Sequence, residues 1–222
     1  MTESSRAERL AELAQRLRSS SFYRRWTPEG RIVLGEGDPE SRLVLVGEAP
    51  GEEEERRGRP FVGRSGRLLD AALAEAGLRR EALWITNVVK HRPTAVQDGR
   101  RRNRAPRPDE IAAWLPWLQA ELEILEPLVV VCLGAVAARA LLGKTFRLLD
   151  QRGTWHSAPG IPNVIATYHP AYVLIQTGER RRTALATLVA DLKRAAERYR
   201  ALWPPAREAE PRSPGRTPPN RC

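Results

Sequence analysis

Four short runs of apolar residues punctuate the chain: Leu43–Val46, Leu83–Thr86, Leu128–Leu133 and Val164–Thr167. Each is nearly continuous rather than alternating, the pattern of strands buried on both faces, as in a parallel sheet. Helical spacing fills the intervals. Residues 5–18 carry Leu10, Leu13, Ala14 and Leu17 on one face. Residues 65–76 carry Leu68, Leu69, Ala72, Leu73 and Ala76, and Gly77 stops them. A helix from Pro108 to Leu125 opens on Pro-Asp-Glu, which suits a helix N-terminus, and its internal Pro116 predicts a kink or a break. Gly134–Leu142 is short and alanine-rich, residues 180–202 form a last basic amphipathic helix, and residues 19–42 read as irregular. Strands alternating with helices predict a three-layer α/β fold, a central and mostly parallel sheet of about four strands flanked by helices.

Length and charge narrow the classes. The 222 residues suffice for one domain with its own core, here residues 1–202. Residues 203–222 hold six prolines and few apolar groups and read as a disordered tail. No apolar run reaches membrane-spanning length, and the N-terminus is polar, so the expected place is the cytoplasm, with no membrane partner. Two cysteines, Cys132 and Cys222, exclude a disulfide framework and a thiolate-built metal site. The formal charge of +10 suits a polyanionic partner, although so arginine-rich and alanine-rich a composition also follows from a GC-rich genome. Five arginines lie within residues 100–107: Arg100, Arg101, Arg102, Arg104 and Arg107. They read as a phosphate-binding loop or as a solvated charge run.

In open parallel sheets, sites form beyond the carboxyl ends of the strands. The first strand runs into Gly47-Glu48-Ala49-Pro50-Gly51, the second into Asn87-Val88-Val89-Lys90-His91, and the fourth into Tyr168-His169-Pro170-Ala171-Tyr172-Val173. The third ends in Gly134-Ala135, without side-chain chemistry. Taken singly, Glu48 reads as a loop or capping carboxylate, Asn87 as a turn residue and His169-Pro170 as a turn. At three strand ends of one sheet they read together as a site. Phe61, between Pro60 and Gly63, reads as core or as a platform for stacking a base.

The segments Gly47–Glu52 with Gly58–Gly63, Thr86–Lys90 and His169–Tyr172 resemble, in order and interval, three motifs of the family 4 uracil-DNA glycosylases. The resemblance spans roughly residues 20–200. It implies a monofunctional, cofactor-free, monomeric hydrolase acting on single- or double-stranded uracil-containing DNA. A flipped-out uracil would stack on Phe61 in a pocket formed with Gly47, Ala49, Pro50 and Gly51. The Asn87 amide would donate to O4 and accept from N3–H, a pattern that cytosine reverses. His169 would donate to O2 as negative charge develops on the base. Glu48 would orient water or stabilise the sugar cation, with Glu54 as the second candidate. The loop Ala171–Leu174, with Val173, would enter the duplex as a wedge, unless Val173 and Leu174 merely start a buried helix.

The chain also departs from that family. Family 4 enzymes typically hold a [4Fe–4S] cluster through four cysteines, and the matching positions here are Leu17, Ser20, His91 and Trp114. The expectation is a cluster-free relative in which Trp114, with Phe22 or Trp26, fills the space. The segment Arg100–Arg104 resembles the loop of a cross-linking branch, with Arg104 in place of that branch's histidine. Alternatives are therefore a protein that binds uracil or abasic DNA without turnover, or one that forms a covalent adduct. A nucleotide-metabolising enzyme lacks support, because no phosphate-cradling P-loop is present.

Overall fold

A computed structural model describes residues 4–27 and 31–203. The disordered tail expected at 203–222 lies, apart from Trp203, outside the described residues. The four apolar runs are strands, and they are contiguous in one sheet: β2 (Leu43–Gly47), β3 (Trp84–Asn87), β6 (Val129–Leu133) and β8 (Ile161–Thr167). All are parallel to their neighbours, in the order β3-β2-β6-β8. The sheet has six strands rather than four. Antiparallel edges are added by β1 (Glu36–Gly37) beside β3 and β7 (Trp155–Ala158) beside β8. These edges escape a hydrophobicity reading because β1 has only two residues and neither edge is buried on both faces.

Alternate strand residues serve two cores. Val44, Val46, Val130, Cys132, Val164 and Ala166 face one. There they meet Leu17 of α1 (Arg6–Ser19), Trp114 and Leu118 of α5 (Pro108–Leu125), and Ala137 of α6 (Ala135–Leu142). Leu43, Leu45, Val129, Val131 and Ile165 face the other. That side is closed by Leu69 and Leu73 of α4 (Arg64–Glu75), Val173 of α8 (Pro170–Ile175) and Leu188 of α9 (Gly178–Leu202). Burying both faces accounts for the continuous apolar runs.

Two local expectations change. Pro116 does not break α5, which runs unbroken for 18 residues. The proline lies on the exposed side, where water can serve the carbonyl it strands, while Trp114 and Leu118 anchor the buried side. The arginine run is not a loop: Arg100–Asn103 is β5, paired antiparallel with β4 (Thr94–Gln97). Asp98 and Gly99 form the turn, with φ of 52° and 70°, the left-handed pair that a two-residue hairpin needs.

Candidate functional site

The carboxyl ends of β2, β3 and β8 open onto one cleft of about 410 Å³. It is lined by Glu48, Phe61, Asn87 and His169, together with Ala49, Pro50 and Gly51. The parallel register brings this about, placing Gly47 beside Asn87. Beyond the strands, Val88 N–H donates to Gly47 O at 2.9 Å and Val89 N–H to Glu48 O at 3.0 Å. The first two motifs are thus zipped together. Gly47 is required by contact: a Cβ there would stand 2.4 Å from both Asn87 Oδ1 and Phe61 Cζ.

Glu54 also lines the cleft, but its carboxylate is engaged by the loop backbone. It lies in α3 (Glu52–Arg57), and its carboxylate accepts from the backbone N–H groups of Gly51 (3.1 Å), Val62 (3.0 Å) and Gly63 (2.8 Å). Three such bonds clamp the two halves of the first motif. Between them, Phe61 takes φ of 51°, uncommon for a bulky residue. Arg80 donates to the carbonyls of Pro60 (2.5 Å) and Phe61 (3.1 Å) and so stabilises that conformation. The Phe61 ring, 5% exposed, lies with its centroid 5.8 Å from that of His169.

Asn87 is 2% exposed, yet neither of its amide atoms meets a protein partner among the described residues, and its buried Oδ1 is wholly unsatisfied. An unpaired buried carbonyl costs about 1–3 kcal/mol, so a site that holds one is built to receive a donor. The backbone of Asn87 is pinned from below. Buried Lys90 donates to Asn87 O at 2.9 Å, to Thr86 Oγ1 at 2.5 Å and to Glu121 at 2.5 Å.

His169 caps α8, and its Nδ1 accepts from Ala171 N–H at 3.0 Å. That bond fixes the tautomer: the proton sits on Nε2, which has no protein partner among the described residues. Half-exposed at the cleft but enclosed by protein beyond it, the imidazole is pushed down by burial to about 4. It is therefore a neutral N–H donor near pH 7. Gly134, at φ 94°, lets β6 pass close beneath it, since a Cβ would come within 2.9 Å of His169 Cβ. The strand end without side-chain chemistry thus makes room for the histidine. Glu48 is half-buried with no protein partner for its carboxylate among the described residues, and burial raises its pKa above the ordinary carboxylate value.

The arginines divide. Arg100, Arg101 and Arg102 are exposed on β5 and share an adjoining concavity of about 840 Å³ with Arg31, Arg56 and Arg92. Arg101 pairs with Glu55 at 3.5 Å and Arg92 with Glu55 at 3.3 Å, while Arg31, Arg100 and Arg102 have no carboxylate partner among the described residues. Arg104 lines the cleft but is half-buried against Glu110. Arg107 is exposed at the N-cap of α5, away from both concavities. The wedge expected at Val173 is corrected: Val173 is 0% exposed and packs in the α4/α9 core. The helical turn of α8 points its neighbours Tyr172 and Ile175 outward instead, 40% and 75% exposed. Asn103 and Arg64 also line the cleft. Asn103 was hidden inside the arginine run, and Arg64 beside Gly63 carried only the weak signal of a charge at a helix start.

The positions that would carry cluster thiolates do not fit an iron–sulfur group. Leu17 is 2% and Trp114 0% exposed, both in the core. Ser20 Oγ donates to Leu17 O at 2.6 Å and caps α2 (Ser21–Trp26). His91 is engaged through both ring nitrogens, by Trp114 at 2.8 Å and Glu110 at 3.2 Å. Phe22 packs edge-on against Trp114 at 4.9 Å, and Trp26 lies 6.1 Å from His91. Cys132 sits buried within β6, its thiol pushed up to about 12.

Comparison with known proteins fits this geometry. Residues 34–193 match the model of the uracil DNA glycosylase superfamily. A type-4 uracil-DNA glycosylase of Thermotoga maritima is 46% identical over 156 residues, covering 69% of this chain and 78% of its own. One from Sulfurisphaera tokodaii is 36% identical over 180 residues, 78% and 79% of the two chains. A type-5 uracil-DNA glycosylase of Thermus thermophilus is 34% identical over 186 residues, 75% and 81%.

Proposed function

Because the chain belongs to the uracil DNA glycosylase superfamily, we propose that it is a DNA glycosylase that hydrolyses the N-glycosidic bond of deoxyuridine in DNA. The observation that carries this reading is the partnerless Asn87 amide, buried beside Phe61 and facing the same cleft as the Nε2–H of His169. A flipped-out uracil satisfies every one of these groups. Its face lies on Phe61, its N3–H meets Asn87 Oδ1, its O4 takes an Asn87 N–H, and its O2 takes the His169 Nε2–H.

The chemistry follows from that placement. As the bond to C1′ breaks, charge moves onto the base, and a neutral donor at O2 stabilises the anion without giving up its proton. Glu48, ionised, faces the opposite charge on the sugar and orients the attacking water. The oxygen of that water bonds to C1′, and its proton leaves to solvent or the departing base. Glu54, with its oxygens engaged by three backbone amides, is a positioning residue. Arg31, Arg100 and Arg102 grip the phosphates, and exposed Tyr172 and Ile175 of α8 replace the stacking lost by the departing base. Turnover is ordinary hydrolysis, because Arg104, whose pKa Glu110 raises further, stays protonated and is no nucleophile.

The test is a uracil-containing oligonucleotide incubated with protein and then treated with alkali. Scission at uracil alone supports the reading. An intact strand, or a protein–DNA band that survives heat and detergent, contradicts it. No described helix is long and apolar enough to cross a membrane.

A further inference from the structure

Four side chains run in hydrogen-bonded sequence from the core to the rim of the cleft. Trp114 Nε1–H donates to His91 Nδ1 at 2.8 Å. With Nδ1 accepting, the proton of the imidazole lies on Nε2, which donates to Glu110 Oε1 at 3.2 Å. Both oxygens of Glu110 then hold Arg104, at 2.6 and 2.7 Å, in a fork. Glu110 also accepts from Arg107 N–H at 2.6 Å. Arg104 is held from its other side as well, its Nε donating to Thr94 O and its Nη1 to Ala105 O, each at 3.0 Å. Four of its five N–H groups are thereby engaged. The remaining one, on Nη2, has no partner among the described residues, and the side chain lines the cleft.

We infer that Arg104 binds a DNA phosphodiester at the rim of the cleft, and that Trp114 and His91 are positioning residues for it, acting through Glu110. This rests on the reading of the cleft as a DNA site. A free arginine loses rotamer freedom when it grips a phosphate, and a guanidinium already fixed by a carboxylate fork loses little. Two of the four positions that do not fit a cluster, His91 and Trp114, belong to the relay, so those two residues do more than fill space. Each link is buried or half-buried: Trp114 at 0%, Glu110 at 5% and His91 at 9% exposure. Glu110 is not left with a single partner, which makes its orientation insensitive to solvent.

A double-mutant cycle on direct binding tests this, independently of turnover. The probe is a fluorescently labelled uracil-free oligonucleotide, with Kd measured by anisotropy across a salt series. Arg104→Gln should lower the slope of log K against log salt by about one. Trp114→Phe keeps the ring packing and removes the N–H, and should weaken binding by about threefold, or 0.65 kcal/mol. In the Arg104→Gln background, the same Trp114→Phe change should have no further effect on Kd, while its effect on Tm persists. Arg104→Lys keeps the charge without the fork, and carries the same cycle if Arg104→Gln does not fold. Equal weakening by Trp114→Phe in every background would overturn the relay, as would an unchanged salt slope in Arg104→Gln. Failure of the wild type to release uracil would reject the enzymatic reading and leave this cycle intact.

Discussion

The cleft and the corner behind it are built from neighbouring residues of the same segment, yet they treat polar groups in opposite ways. In the corner, His91 is bonded through both nitrogens and Glu110 through both oxygens. In the cleft, Asn87 Oδ1, His169 Nε2 and the Glu48 carboxylate have no protein partner among the described residues. Buried polar groups normally find partners because leaving them unpaired is costly. A satisfied cluster stabilises the fold, whereas an unsatisfied one leaves its bonds open. Only three residues along the chain separate Asn87 from His91, so local composition does not set this difference. Direction does: Asn87 faces the cleft and His91 faces α5.

The comparison is broken most sharply at His169. His169→Ala should slow single-turnover uracil release by about 10²–10³, or about 2.7–4 kcal/mol, the scale of one lost oxyanion donor. An unchanged rate would remove the role assigned to Nε2. Glu48→Gln should cost about 10²-fold, at the low end for a positioned base. In the wild type, kcat/KM should fall on acidification with a midpoint above the ordinary carboxylate value, because burial raises the Glu48 pKa. That acid limb should vanish in Glu48→Gln. Its persistence would assign it to another group. His169, pushed down to about 4, stays a neutral donor throughout this range.

Acid should also separate the buried histidines from Glu110 by stability. His169 titrates lower in the folded chain than unfolded, so its contribution is present above about 6.5 and is lost as pH falls toward 4. Glu110, held at about 2 by Arg104, the Arg107 amide and His91 against the cost of its own burial, contributes above 4.5 and loses that contribution as pH falls toward 2. His91 in the corner, also pushed down by burial, loses its share in the same direction as His169, so thermal melts across this range should show both histidines' shares failing before that of Glu110. The decline between pH 6.5 and 4 should flatten in His169→Gln, and no flattening would reject the assignment. Glu54→Gln should cost about 1–3 kcal/mol in Tm-derived stability, because it replaces a carboxylate that accepts three backbone bonds. It should keep the acid limb of the wild type, and loss of that limb would return Glu54 to the chemistry. Smallest of all, iron and sulfide in anaerobically purified protein should be negligible, and Trp114→Cys should not introduce them. Stoichiometric iron would contradict the packing at Leu17, Ser20, His91 and Trp114.

Much of this was legible in sequence, for physical reasons. Strands buried on both faces write continuous apolar runs, so the parallel centre of the sheet was readable and its half-exposed edges were not. Gly47, Glu48, Asn87 and His169 were legible because motif and strand end coincide. The register of β2 on β3 and the cap on α8 then bring them to one cleft. Side-chain direction was not legible. Val173 and Tyr172 are adjacent, and only the helical turn of α8 decides which is buried. Glu54 and Glu48 are both carboxylates of the first motif and both line the cleft, but only Glu54 is engaged by three backbone amides. Arg104 belongs by sequence to a basic run and by contact to Glu110. Asn103 gave no signal, because its place in the cleft depends on how the hairpin folds back.

The central claim is that the open bonds of the cleft are reserved for uracil, with Asn87 as the reader. The most direct measurement is base preference in Asn87→Asp, using matched oligonucleotides that carry uracil or cytosine at one position. A protonated aspartic acid accepts from the cytosine amino group and donates to its N3, reversing the pattern that the amide offers to uracil. The variant should lose uracil release and gain cytosine release relative to the wild type. Unaltered preference for uracil in a folded Asn87→Asp protein would contradict the claim.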